Sequence, residues 1–203
     1  IIGQIDDDNN GISGIEKSFD TELKKINEPL KLTLDVDIQF LIREELIRYQ
    51  KIFRAKGSAA ILMDVNNGDI ISMVSLPDFN LNKRENITDD NYMNKVTKGV
   101  YELGSVFKLF TFTAGLDEGV IKTDTMFLNL PKSITCAGFP IREYDEEMPP
   151  NITAEQILIR SGNIGSVRIA QRVEKLEKDR FKLFLEKIGV LSQIDFDIEE
   201  VAT

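Results

Sequence analysis

The sequence predicts an α+β domain, an antiparallel sheet with helices, on three observations. Two apolar, β-branched runs, 58–65 and 69–76, are joined through Asn66-Asn67-Gly68. Asn-Gly between apolar runs is the strongest short hairpin signal. An apolar helical run opens at Ser105, and a mainly helical segment follows from Thr153. No later strands pair with the hairpin, and a two-stranded hairpin is marginal by itself. The sheet is therefore expected to be incomplete at the C-terminus of this 203-residue chain.

Residues 1–30 are glycine-punctuated and acidic and read as strand and turn material without a core of their own. Asp6-Asp7-Asp8-Asn9-Asn10-Gly11 imitates the first half of a calcium loop, but Lys17 stands where the bidentate Glu belongs, so a solvated turn is expected. Asp35 or Asp37 caps a helix to about Arg54, with Ile38, Ile42, Leu46, Tyr49 and Phe53 on one face and Gly57 beyond its end. The hairpin comes next, then a polar, asparagine-rich stretch, 77–97, expected to be a long loop. The Ser105 helix runs to about Asp117 and stops at Gly119; residues 120–152, with four prolines, read as irregular. Thr153 and Gln156 make a capping box for a short helix to Arg160. Ser161-Gly162-Asn163 interrupts it; one helix starts near Ile164, and another spans Phe181 to Lys187.

The length suits one medium domain, or one domain with a fragment of another. A net charge of −9 without a basic stripe makes the chain a poor binder of nucleic acid or anionic lipid. No apolar run is long enough to span a membrane. The chain opens on Ile1-Ile2-Gly3 and reads as an excised piece, with any anchor expected upstream. Cys136 stands alone and reads as a small buried hydrophobe.

There is no histidine. That excludes Ser-His-Asp and Cys-His catalysis and most zinc sites. A serine three residues before a lysine on a helix places hydroxyl and amine on one face, and a buried lysine that loses its proton can serve a serine nucleophile as base. Ser105 and Lys108 have this spacing. Chance alone supplies about one such pair in this composition, and an ordinary helix start with a surface lysine has the same spacing. The second candidate is Ser161-Gly162-Asn163, between two helices, where a short loop can aim a proton-relaying hydroxyl and a peptide-binding amide at one cleft. Taken alone it reads as a helix-ending turn.

Taken together, hairpin, long loop, Ser-x-x-Lys helix and Ser-x-Asn turn resemble the penicillin-binding transpeptidases and serine β-lactamases, whose motifs are Ser-x-x-Lys, Ser-x-Asn and Lys-Thr-Gly. Tyr101 to Lys108 resembles the family's Tyr-Glu-Pro-Gly-Ser-x-Phe-Lys segment, with Leu103 in place of proline. Ala59 to Val65 and Met73 to Pro77 resemble its first hairpin, and Leu32 to Gln39 the segment leading into the domain. Gly11-Ile12-Ser13-Gly14-Ile15-Glu16 resembles the Gly-x-x-Gly-x-Glu signature of the class B pedestal. The resemblance is to a class B penicillin-binding protein, to the division type more than to the elongation type. It implies a pedestal fragment at 1–30 and the N-terminal portion of a transpeptidase domain at 31–203. The one Lys-Thr pair, Lys122-Thr123-Asp124, lies between the other motifs and lacks the glycine, so the third motif is expected beyond the chain.

By that resemblance, Ser105 is the acylated nucleophile, Lys108 its base, Ser161 a proton relay and Asn163 a substrate-binding residue. The Ser105 N–H is half of an oxyanion hole. The other half belongs to the strand after the third motif, and losing one such donor costs about 3 kcal/mol, so the fragment is expected to be weakly active or inactive. The implied partners are peptidoglycan stem peptides, β-lactams and membrane proteins of division or elongation, with no metal or organic cofactor. The implied location is the periplasmic side of the inner membrane. A β-lactamase or β-lactam sensor of the same fold, and a non-catalytic scaffold of a division complex, are the competing readings.

Overall fold

The computed structural model describes residues 2–25, 28–83, 88–194 and 196–198. The chain forms two compact units, Ile1–Tyr101 with Asp195–Thr203, and Glu102–Ile194.

In the first unit, strands β1 (Gln4–Ile5) and β2 (Gly11–Ser13) pair antiparallel around the acidic turn. There the Asp6 carboxylate accepts from the backbone N–H groups of Asp8 and Asn10 and from the Asn10 side chain. The Asn10 amide is the main reason that this carboxyl titrates below its ordinary value. Two short helices that the sequence pattern does not announce follow, α1 (Gly14–Ser18) and α2 (Asp20–Lys25).

Helix α3 (Val36–Phe53) starts at the expected cap: the Asp35 carboxylate accepts from the Ile38 N–H at 2.9 Å. Its expected apolar face holds at Ile38, Ile42 and Leu46, which are partly buried. It fails at Tyr49 and Phe53, which are exposed and stack on each other at a centroid separation of 6.0 Å. The hairpin is β3 (Ser58–Met63) with β4 (Ile70–Leu76), in register from Ser58 opposite Leu76 to Leu62 opposite Ser72, with a shift of register before Met63 opposite Ile70. Its loop is closed by the Asp64 carboxylate on Asn66 and by Gly68 at φ +82°. Strand β4 carries the unit's core in Met73, Val74 and Leu76, and Gln39 of α3 locks onto it through Ser72 and the Met73 backbone. Among the described residues, the polar stretch after β4 holds one short helix, α4 (Asp89–Tyr92).

The second unit contains both motifs. A 3₁₀ turn, Gly104–Phe107, leads into α5 (Lys108–Asp117). The stretch expected to be irregular is ordered by two strand pairs. Strand β5 (Met126–Phe127) pairs with β8 (Ile152–Thr153), and β6 (Ser133–Cys136) pairs with β7 (Phe139–Arg142) as a hairpin. Cys136 is exposed, not buried. It lies at the tip of this hairpin beside Ala137 and Gly138, both at positive φ, and the tip stands in solvent. Lys122-Thr123-Asp124 lies in a turn, where the Lys122 N–H donates to Thr125 Oγ1.

Helix α6 (Ala154–Ile159) is capped as expected, with Thr153 Oγ1 accepting from the Gln156 N–H at 3.2 Å. Helices α7 (Asn163–Glu174) and α8 (Arg180–Lys187) complete the unit. Its core is Phe112, Ile121, Phe127, Ile152, Ala154, Ile157 and Ile169, continued by Ala114, Val173, Phe184 and Leu185. Burial of these side chains, worth about 1.5–3 kcal/mol for each large one, holds α5, α6 and α7 together. It thereby fixes the two motif-bearing segments against each other.

Candidate active site

Ser105 stands in the turn ahead of α5, after Gly104 at φ +54°. A left-handed residue there lets the chain enter a helix abruptly, which glycine does without a steric penalty. The turn is anchored from behind: Phe107 meets Phe110 and Phe181 edge to face, at centroid separations of 5.5 and 6.4 Å. Ser105 itself is exposed, and among the described residues its hydroxyl has no hydrogen-bond partner.

Lys108, one turn on, is half-buried. Its Nζ donates to the Ser161 carbonyl at 2.5 Å, to Ser161 Oγ at 2.9 Å and to Asn163 Oδ1 at 2.6 Å. Three of the four residues singled out in the sequence are thus brought into direct contact. Burial pushes the Lys108 amine below its ordinary value, and the charge of Glu143 pulls it part of the way back.

The local chain path explains how Ser161 and Asn163 reach the lysine. Helix α6 ends at Arg160, and the Ser161 N–H donates to the Leu158 carbonyl. Ser161 then takes φ +56°, a left-handed conformation that costs a non-glycine residue about 1–2 kcal/mol. Such backbone outliers cluster at functional sites. Gly162 follows in an extended conformation as the N-cap of α7, its N–H on the Ile157 carbonyl and its own carbonyl accepting from Ser166 Oγ. The path turns both the Oγ and the carbonyl of Ser161 towards Lys108.

Two contacts that the sequence did not disclose complete the site. The Glu143 carboxylate accepts from the backbone N–H groups of Asn163 and Ile164 at 2.5 and 2.9 Å, closing the N-terminus of α7. The Arg142 carbonyl accepts from Asn163 Nδ2 at 2.8 Å, which leaves Oδ1 facing the lysine. Glu143 lies in a proline-bounded stretch beside other acids, and no local pattern marks it out. Among the described residues no group of three or more acidic or cysteine side chains is placed to hold a metal.

An amine relieved of part of its hydration, held between a hydroxyl and an amide one turn from an exposed serine, is suited to acyl transfer on that serine. Residues 58–203 match the family model described as "Penicillin binding protein transpeptidase domain". This chain belongs to that family. Over its whole length it is 29% identical to the "Probable peptidoglycan D,D-transpeptidase FtsI" of Caulobacter vibrioides, covering 34% of that protein. Over 84% of its length it is 26% identical to the "Peptidoglycan D,D-transpeptidase FtsI" of Escherichia coli, covering 32% of it. A crystal structure of penicillin-binding protein 3 from Mycobacterium tuberculosis superposes with a TM-score of 0.81 at 25% identity, over 93% of this chain and 44% of that one. The same protein has been crystallised with ampicillin. The penicillin-binding transpeptidase fold and the class B assignment of the sequence stand on these relatives. The chain spans about a third of the length of the curated relatives named.

Proposed function

We propose that this chain carries the Ser-x-x-Lys and Ser-x-Asn part of a serine D,D-transpeptidase that cross-links peptidoglycan stem peptides during cell division. The observation that carries the reading is the three-way contact of Lys108 Nζ with Ser161 and Asn163, one turn after the exposed Ser105. In this reading Ser105 Oγ attacks the penultimate D-Ala carbonyl of a donor stem, and Lys108, as the free amine, takes its proton. The tetrahedral intermediate collapses with departure of D-Ala, protonated through Ser161. An amine of a neighbouring stem then attacks the acyl-enzyme, restoring Ser105 and forming the cross-link. Asn163 holds the donor's peptide amide. β-Lactams acylate the same serine. The relatives named FtsI support the division role.

In this reading the chemistry takes place on the periplasmic side of the inner membrane. Among the described residues no helix is long and apolar enough to cross a membrane, and the proposal puts the anchor in another part of the protein. The pedestal-like segment is assigned to 1–30 and the transpeptidase portion to 31–203. The test uses the full-length protein, a donor peptide ending in D-Ala-D-Ala and an amine acceptor. D-Ala release with cross-link formation, abolished by Ser105→Ala, is the result expected. Rapid hydrolysis of penicillin without cross-linking would establish a β-lactamase instead. Partner binding with no acyl transfer would establish a scaffold.

A further inference from the structure

We propose that Glu143 is a positioning residue of this site: its carboxylate seats the first turn of α7 and so holds the Asn163 side chain on Lys108. The inference rests on the reading of Lys108 as the base for Ser105.

The geometry is specific. Both carboxylate oxygens are used, Oε2 on the Asn163 N–H at 2.5 Å and Oε1 on the Ile164 N–H at 2.9 Å. These are orphan donors of α7, because the first four N–H groups of a helix have no partner within it. Gly162, at the N-cap, has no side chain with which to cap them. A carboxylate at a helix N-terminus also meets the positive end of the helix dipole. The adjoining residue fixes the side chain of the same asparagine: the Arg142 carbonyl accepts from Nδ2 at 2.8 Å, and Oδ1 then accepts from Lys108 Nζ at 2.6 Å. Arg142 ends β7, so the hairpin β6–β7 grips Asn163 through its backbone and its amide at once. Glu143 is half-buried, and a chain of contacts therefore runs from a carboxylate through the helix end to the amine.

The same carboxylate acts on the amine through space. Around Lys108, Ser161 and Asn163 from the α6–α7 junction are neutral, and Ser105 is the polar group on its own turn. Among the described residues Glu143, from the segment after β7, supplies the charge that favours the ammonium form. A purely structural cap would hold the helix end without affecting when Lys108 loses its proton.

Two substitutions separate these effects. Glu143→Ala removes cap and charge; Glu143→Gln keeps one acceptor oxygen and removes the charge. In Glu143→Ala, amide hydrogen exchange at Asn163 and Ile164 should accelerate about tenfold, while Ile169 in the middle of α7 keeps its rate. In Glu143→Gln, pH-dependent acetylation of Lys108 by acetic anhydride, read by peptide mass spectrometry, should show a midpoint at lower pH than in the unaltered protein. Unchanged exchange at Asn163 and Ile164, or an unmoved Lys108 midpoint, would overturn the proposal. If Glu143→Ala does not fold, Glu143→Gln carries both measurements, with exchange between the two extremes. A parallel Ser105→Ala sample with a penicillin keeps the two ideas apart. A surviving adduct there sinks the Ser105 reading, whereas the exchange and acetylation results bear on Glu143 alone.

Discussion

Lys108 and Asn163, 55 positions apart in the chain, meet at 2.6 Å, Nζ on Oδ1. The amide is held that way round because its Nδ2 donates to the Arg142 carbonyl. The contact joins the start of α5 to the start of α7, and the shared core of Phe112, Ile157 and Ile169 keeps those two helix ends in place. A lysine on a freely solvated helix start would make no such set of bonds.

Removing the amine should remove the base. Lys108→Ala is expected to lower the rate of penicillin acylation of the full-length protein by about 10²–10⁴-fold, the usual contribution of general acid–base catalysis. Lys108→Arg should not restore it, because a guanidinium does not deprotonate in a protein. Stopped acylation assays across the three proteins check both statements.

The pH dependence has a definite sign. Burial lowers the Lys108 amine from its ordinary 10.5, with Glu143 opposing. In the proposed mechanism the free amine is the working form, so acylation should rise with pH through a midpoint below 10.5. Between that midpoint and 10.5 the unfolded chain holds a proton that the folded chain has released, so the contribution of Lys108 to stability rises with pH there. A pH–rate profile and urea melts across the alkaline range test the two consequences.

Helix α7 lies too close to α6 for a larger residue at Gly165. A Cβ there would fall 2.6 Å from side-chain atoms of Ile157, which is fully buried. Gly165→Ala should cost about 1–3 kcal/mol by overpacking. It should also slow acylation, since the displaced helix carries Asn163. Pairing it with Ile157→Val, which opens space at the contact, should recover part of both losses.

Capping predicts the opposite pattern. Thr153→Ala deletes the acceptor for the Gln156 N–H and should cost about 1 kcal/mol. Thr153 caps the end of α6 opposite to the one that leads into Ser161, so acylation of the folded protein should hold while the melting temperature falls.

The parts of the fold legible in the sequence were those signalled locally. Asp35 caps α3, Thr153 caps α6, and Asn66-Asn67-Gly68 turns the hairpin; each depends on residues a few positions apart. The strands β5 and β8 were not legible, because two-residue strands carry no period and their pairing spans Met126 to Thr153. Pro140 argues against a strand, yet it sits in β7 opposite Thr135. The same distinction applies at the site. Ser105, Lys108, Ser161 and Asn163 were legible through the order of their motifs and the family these resemble, since the spacing of each alone matches chance or an ordinary turn, whereas Glu143 is recruited by a tertiary path that brings the end of β7 to the start of α7. The exposure of Cys136 follows from that unrecognised hairpin, whose tip stands in solvent.

The central claim is that Ser105 is the nucleophile served by Lys108. Intact-mass spectrometry of the full-length protein after incubation with a penicillin, with Ser105→Ala alongside, tests it most directly. The account predicts one stable penicilloyl adduct, absent from the Ser105→Ala protein. An adduct that persists in Ser105→Ala, or none on the folded unaltered protein, would contradict it.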